Sequence, residues 1–386
     1  MDLLEYQGKE LFARHGLPVP KGVYAATADA AVDASESLGY PVAVKAQVLI
    51  GGRGKAGGIK IAKDSAEAHE YAGEIIGMDI VGPHGEGPFR VDELWVEAGS
   101  EIEAEFYASV ILDRSAKKMM VMLSRMGGMD VEAIAASDPD ALVKEHVDPH
   151  HGLELTQAKD IVERAKIPAE VADQVASILV RLAEVAKAED ATLIEVNPLI
   201  VNSDGEVMLL DAKVTTDGNA LFRHPELAEI ADGADQDPQE KMAKERGLTY
   251  VSLDGNIGIL GNGAGLCMST LDVVAQAGGR PANFLDAGGG SKAEAIIDAL
   301  EVITSNPEVT AILFNIFGGI TRGDEVARGI IEATNKIGLE LPLVVRLDGT
   351  HSEEGLALLA EAGLDNLHHE STMLGAAKKV VELAGN

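Results

Sequence analysis

A single cysteine, Cys267, occurs in 386 residues, so no internal disulfide framework is available. Its setting, Leu266-Cys267-Met268, points to a buried thiol with a packing role. Cations are scarce: 32 Lys and Arg stand against 63 Asp and Glu, a formal charge of −31. That balance argues against a nucleic-acid partner, because a phosphate backbone needs a cationic face. It favours solubility and can reflect a salty cytoplasm, but says little about chemistry. No run of about 18 apolar residues is present, so no membrane span is expected. The segment Met1-Asp2-Leu3-Leu4-Glu5-Tyr6 has neither a basic nor an apolar stretch and does not read as a signal peptide. The cytoplasm is therefore the expected compartment. The ten histidines show no metal-ligand spacing. The adjacent pairs His150-His151 and His368-His369 read as exposed loop residues.

Glycine is abundant, with 42 residues, which suits many tight strand-to-helix turns. The length allows two or three domains. Apolar spacing predicts helices over Leu3–His15, Ala28–Leu38 and Val171–Ala188. Strands are expected at Val42–Val48, Ile59–Ala62 and Leu94–Glu97. Hairpins are expected over 107–123, and over 192–210 with a turn at Asn202-Ser203-Asp204-Gly205. Between His224 and Arg246 the composition becomes polar and rich in breakers, which reads as a linker over 233–246. Beyond it, strands at 257–260, 283–286, 311–317 and 343–347 alternate with helices. That repetition signals a doubly wound parallel sheet.

Lys45 is the one charge in the apolar strand Val42-Ala43-Val44. Gly51-Gly52-Arg53-Gly54-Lys55-Ala56-Gly57-Gly58 follows as a mobile loop with two cations and little bulk. Floor and flap together suggest a nucleoside triphosphate site, since glycines let backbone amides approach phosphate oxygens. The spacing is not that of the usual phosphate loop, because Ala56 follows Gly54-Lys55. A flexible surface turn is the alternative.

Asn197 and Asp211 lie on the two arms of one expected hairpin. Both are hard oxygen ligands of the kind Mg²⁺ accepts alongside water and phosphate. An Asp capping a turn is the plainer reading, but pairing with Lys45 and the glycine flap favours the metal. Glu97, at a strand end, is placed to accept hydrogen bonds from adenine or ribose, or else is simply solvated. Glu105 points either to solvent or to the cleft. Gly261-Asn262-Gly263-Ala264-Gly265 joins a strand to a helix, but Leu266 stands where a dinucleotide fingerprint needs its third glycine. Asp286 would be the ribose-binding acid of such a site. A general anion site at a helix N-terminus fits better. Gly318-Gly319-Ile320-Thr321 repeats the arrangement one strand later. Gly288-Gly289-Gly290 is assigned no role.

Taken together, these motifs resemble the β subunit of succinyl-CoA synthetase, the ADP- or GDP-forming succinate–CoA ligase. The match runs end to end. It includes Glu5-Tyr6-Gln7, Gly51 to Gly58, Glu195-Val196-Asn197-Pro198, Gly218 to Arg223, Leu253 to Gly258, Pro281 to Asp286 and Asn315 to Ile320. The resemblance implies an ATP-grasp domain over 1–232 and a flavodoxin-like CoA-ligase domain over 247–386. It implies an α subunit, in an αβ or α2β2 heteromer, that binds CoA and carries a phosphorylated histidine. Lys45, Gly52, Arg53, Gly54, Glu97, Ser100 and Glu105 would contact the nucleotide, with Pro20 resembling the ATP-preferring members. Asn197 and Asp211 would hold Mg²⁺, and Glu195 would assist the partner's histidine. Asn262, Gly319, Ile320 and Thr321 would bind the dicarboxylate at the subunit boundary. The implied reaction is ATP (or GTP), succinate and CoA to succinyl-CoA, ADP (or GDP) and phosphate, a step of the tricarboxylic acid cycle. Ser100 and Thr321 stand where the family varies, and His351 is unusual. A malate–CoA ligase large subunit shares most of these motifs. A dinucleotide-binding dehydrogenase is the rival from another class, resting on Gly261 to Gly265.

Overall fold

The computed structural model describes residues 1–83, 85, 87–129, 131, 138–233, 237–288 and 293–385. The chain separates into two compact units, Met1–Gly233 and Ala234–Asn386.

The strands of the first unit are β1 Asp2–Leu3, β2 Gly22–Ala25, β3 Val42–Ala46, β4 Ile59–Ala62, β5 Asp79–Ile80, β6 Phe89–Arg90, β7 Leu94–Ala98, β8 Ile102–Asp113, β9 Lys118–Ser124, β10 Val143–His146, β11 Ala191–Asn202, β12 Val207–Leu209 and β13 Lys213–Thr216. An antiparallel four-stranded sheet runs in the order β2-β7-β3-β4. Val42, Val44 and Ala46 belong to the apolar core shared with helices Ala28–Leu38 and Ser65–Ile75. Period-two alternation turns Ala43 and Lys45 to the opposite face. Trp95 pairs with Lys45 and Glu97 with Ala43, so these two side chains share that face. Thr27 and Asp64 cap the two helices by accepting from Ala30 N and Glu67 N.

A larger antiparallel sheet has the order β1-β13-β11-β8-β9-β10, with β12 on β11. One face carries Ala108, Val110, Val121, Leu123, Ile194 and Val196 into the core with helices Leu155–Arg164 and Ala172–Ala188. Helix Ala172–Ala188 buries Val175, Ile178, Leu179, Leu182 and Val185, the spacing of a single helical face. The other face carries the polar set. Ser109 pairs with Glu195, and Glu195 with Lys213, so the three form one row. The expected helix from Leu3 starts two residues later. Leu3 pairs with Val214 in the sheet, and the helix is Glu5–Arg14.

In the second unit the strands are β14 Thr249–Ser252, β15 Ile257–Gly261, β16 Asn283–Asp286, β17 Ala311–Gly318, β18 Leu343–Gly349 and β19 Leu367–His369. The sheet order is β14-β16-β15-β17-β18-β19, with β14 antiparallel at the edge and the rest parallel. The parallel strands thus run 2-1-3-4-5, the flavodoxin-like order. The order of strand addition reverses between the parallel neighbours β15 and β17, and a ligand site is expected outside the carboxyl ends there.

The breaker-rich stretch read as a linker over 233–246 contains a helix, Pro238–Glu245. Asp237 caps it by accepting from Gln239 N and Glu240 N, and Pro238 opens its first turn, so residues read as breakers are its start signal. His368 and His369 lie on the edge strand β19 rather than in a loop, paired with Val344 and Val345. His150 and His151 are in an exposed turn, as expected. Cys267 is buried and donates to Leu285 O, and burial together with nearby Asp286 pushes its thiol up to about 12. Gly289 and Gly290 lie outside the described residues. No described helix is long and apolar enough to cross a membrane.

Candidate functional site

Helix Glu5–Arg14 packs a charged face inward. Its buried positions are Glu5, Gly8, Lys9, Leu11 and Phe12. Glu5 and Lys9, one turn apart, meet the charged face of the small sheet. The Lys45 ammonium lies 3.0 Å from Glu5 Oε1 and 2.8 Å from Glu97 Oε1, and also donates to Leu210 O at 3.1 Å. Lys9 donates to Glu5 Oε1 at 2.8 Å and to Glu97 Oε2. The Trp95 indole adds a bond to Glu97 Oε2 at 3.0 Å. Arg53 lies 2.6 Å from Glu5 Oε2 and donates to Ala46 O at 3.0 Å. Its other terminal nitrogen reaches Asp211 Oδ1 at 2.9 Å.

Glu5, Lys9, Lys45, Arg53 and Glu97 are each at most 6% exposed. Charges at such depth persist only because each is paired. Burial alone would raise the Glu5 carboxyl, but Arg53, Lys45 and Lys9 outweigh it and hold Glu5 well below the usual range. Burial likewise works against the charge on Lys45, yet Glu5, Glu97 and Asp211 lift its pKa above the ordinary lysine value. Glu97 is therefore not a solvated strand end; it is a shared counter-ion of two lysines. Arg53 is likewise tucked beneath the glycine loop, while Gly52, Gly54 and Lys55 stay exposed. Glu5 and Lys9 escaped the sequence reading. The signal was present: Glu5, Gly8, Lys9 and Phe12 fall on one helical face with the core residue Leu11.

Asp211 follows β12 and also accepts from Ala212 N at 2.8 Å. The β11–β12 ladder pairs Leu199 with Leu209, and Leu210 N donates to Pro198 O. Asn197 and Asp211 lie just beyond the end of that ladder, on the two arms of the hairpin. A bulge between Val196 and Leu199 interrupts the β11–β8 pairing at Asn197-Pro198. Bulges of this kind re-aim a side chain. Asn197 Oδ1 accepts from Gly128 N at 2.8 Å, and its Nδ2 donates to Met129 O at 2.8 Å. The same loop crosses Glu105, whose backbone oxygen accepts from Gly127 N. A Cβ at Gly128 would lie 2.6 Å from Glu105 Oε2, and its φ of +69° also demands glycine. Glu105 is exposed, and Ser100 and Glu195 are half-buried. Pro20 is buried in an extended segment fixed at both ends, with Pro18 O accepting from Leu209 N and Lys21 O from Ala98 N. Among the described residues, no three His, Cys, Asp or Glu side chains gather as a metal cluster. Asn197 and Asp211 each carry the kind of oxygen donor that a cation accepts alongside water and phosphate.

In the second unit, Asn262 joins the turns after β15 and β17. Its Oδ1 accepts from Phe317 N at 2.9 Å, and its Nδ2 donates to Phe317 O at 2.9 Å and Thr321 Oγ1 at 3.2 Å. Thr321 is buried, whereas Ile320 is 86% exposed. Gly318 is fixed by contact, since a Cβ there would lie 2.6 Å from Thr350 N. Asn262, Gly319, Ile320 and Thr321 thus converge at the switch point of the sheet. Asp286 spends Oδ1 on Gly263 N at 2.6 Å and Gly288 N at 2.8 Å. As a turn-former it is not presented as a ribose acceptor, which removes the feature that a dinucleotide site would need.

An ATP-grasp domain model matches residues 2–201, and a CoA-ligase model matches residues 260–380. The chain is 53% identical over 384 residues to the ADP-forming succinate–CoA ligase β subunit of Rubrobacter xylanophilus, covering all of this chain and 99% of that one. The chain belongs to the succinate–CoA ligase β-subunit family. Members so named in Natronomonas pharaonis and Persephonella marina are 49% and 46% identical, again with 100% and 99% coverage. The family is one of acid–thiol ligases, and these relatives are named ADP-forming. A solved structure of ATP citrate lyase from Methanothrix soehngenii, with citrate and coenzyme A, aligns at TM-score 0.76. It has 18% identity and covers 99% of this chain and 98% of that one, a likeness of fold.

Proposed function

We propose that this chain is the nucleotide-binding β subunit of an ADP-forming succinate–CoA ligase. With an α subunit it interconverts succinate, CoA and ATP with succinyl-CoA, ADP and phosphate. The observation that carries the reading is the meeting of Lys45 and Arg53 on Glu5, with Arg53 reaching Asp211, in a chain that matches such ligases from end to end.

Lys45 and Arg53 bind the phosphates, with the backbone of Gly52 and Gly54 closing over them. Ser100, Glu105 and Pro20 border the nucleoside, while the buried Glu97 serves the nucleotide through Lys45. Asn197 and Asp211 would hold Mg²⁺, whose charge offsets that of the phosphates. Glu195, half-buried on the polar face of the large sheet, positions the partner's histidine for phosphorylation. In the second unit, Asn262 and Gly319-Ile320-Thr321 receive the dicarboxylate, with amide and hydroxyl donors suited to a carboxylate. The phosphoryl group passes from nucleotide to the partner's histidine and then to succinate, and the CoA thiolate displaces phosphate. Positioning and charge neutralisation supply most of the rate in such transfers. The working form is an αβ pair or its α2β2 dimer in the cytoplasm.

Co-expression with a CoA-binding α subunit tests the proposal. Hydroxylamine-trappable acyl-CoA should form only with ATP, succinate and both chains present. Full turnover by the single chain would overturn the heteromer, and malate outpacing succinate would change the acid.

A further inference from the structure

The buried charges form a closed ring. Lys45 bridges Glu5 Oε1 and Glu97 Oε1, and Lys9 bridges Glu5 Oε1 and Glu97 Oε2. Two ammonium groups therefore share the same two carboxylates. Their surroundings differ. Lys45 also donates to Leu210 O, next to the part-exposed Asp211. Lys9 lies on the inner face of its helix, 1% exposed, between core residues Leu11 and Phe12 and the sheet.

On the reading that Lys45 and Arg53 take the phosphates, Lys45 must loosen a carboxylate it now holds. Lys45 donates to Glu5, Glu97 and Leu210 O, which uses its three N–H groups. Arg53 spends three of its five N–H groups on Glu5, Ala46 O and Asp211, so phosphate competes with Glu5 and Asp211 for its charge. Glu5 and Glu97, at 3% and 0% exposure, cannot turn to water when that happens. A buried carboxylate left without a cation is strongly unfavourable.

We propose that Lys9 is a positioning residue for nucleotide binding. It neutralises Glu5 and Glu97 from the protein side and so frees Lys45 and Arg53 to turn toward phosphate oxygens. Lys9 never meets the nucleotide; it acts through the two acids.

The test uses the assembled enzyme and reads ATP affinity by equilibrium binding as well as by turnover. Lys9→Met should raise the Kd and KM for ATP by roughly tenfold or more, with kcat changed less than about threefold and the KM for succinate unaltered. Lys9→Met/Glu5→Gln removes one charge of each sign and should bring ATP affinity back to within about threefold of the parent. A merely structural lysine predicts no such recovery. Unchanged ATP affinity in Lys9→Met overturns the inference. So does a folded double variant whose affinity stays weak, and that arm decides the matter if the single variant does not fold. A parent enzyme that binds ATP yet forms no acyl-CoA would refute the ligase reading and leave the Lys9 comparison readable from Kd.

Discussion

The first unit carries its chemistry as charge at depth: Glu5, Lys9, Lys45, Arg53 and Glu97 are buried and mutually paired. The second carries it as amides and a hydroxyl at an open rim, where Asn262 ties two turns beside exposed Phe317 and Ile320. The two arrangements suit different ligands. A polyphosphate brings several negative charges, and fixed cations in a low-dielectric setting stabilise it strongly. Such cations must be held before the ligand arrives, and buried carboxylates hold them. A small carboxylate brings far less charge, so neutral donors at a sheet's switch point suffice. On the proposed function, the first design makes binding depend on a network. The second makes it depend on the shape of two turns.

Replacing the shared cation should break the first arrangement most severely. Lys45→Met leaves Glu5 and Glu97 to Lys9 and Arg53. Unfolding free energy should fall by about 3–5 kcal/mol, read by denaturant titration. The kcat/KM for ATP should drop on the order of a thousandfold. A loss below tenfold would show that the cluster does not serve the phosphates. Asp211→Ala should separate function from fold in the same unit. Its side chain is 36% exposed, so stability should change by no more than about 1 kcal/mol, while Mg²⁺-dependent turnover falls roughly a hundredfold. Normal turnover, or unfolding with metal binding intact, would contradict that assignment.

In the second unit, Asn262→Ala removes the bonds to Phe317 and Thr321. It should cost about 1–2 kcal/mol and raise the KM for the acid roughly tenfold, leaving the KM for ATP unchanged. A rise in the ATP KM instead would erase the contrast between the two regions. The smallest effect concerns the base. Proline has no N–H, and Pro20 offers no side-chain donor to a guanine carbonyl. An unpaired base edge loses about 1–3 kcal/mol, so ATP should be preferred over GTP about tenfold, and Pro20→Gln should narrow the ratio. A tenfold preference for GTP in the parent enzyme would refute this.

Much of the architecture was legible in residue order. The helical spacing of Val175, Leu179 and Leu182 and the runs at Ile257–Gly261 and Ala311–Gly318 encode element type directly, because side-chain period follows backbone geometry. The strand-to-helix repetition announced the parallel sheet, and the hairpin spacing put Asn197 and Asp211 on its two arms. Some elements escaped: β19, three residues long, is too brief for periodicity to register, and Pro238–Glu245 was hidden among residues that cap helices as readily as they break them. The partners of Lys45 were beyond reach for another reason. Glu5, Glu97 and Asp211 are separated from it by 40 to 166 positions, and Lys9 is one turn along its own helix. Local propensity says which face a residue occupies; it does not say what covers that face. That covering helix, Glu5–Arg14, turned an isolated lysine into a ring of shared charges, because buried carboxylates and cations are stable only where the fold brings them together.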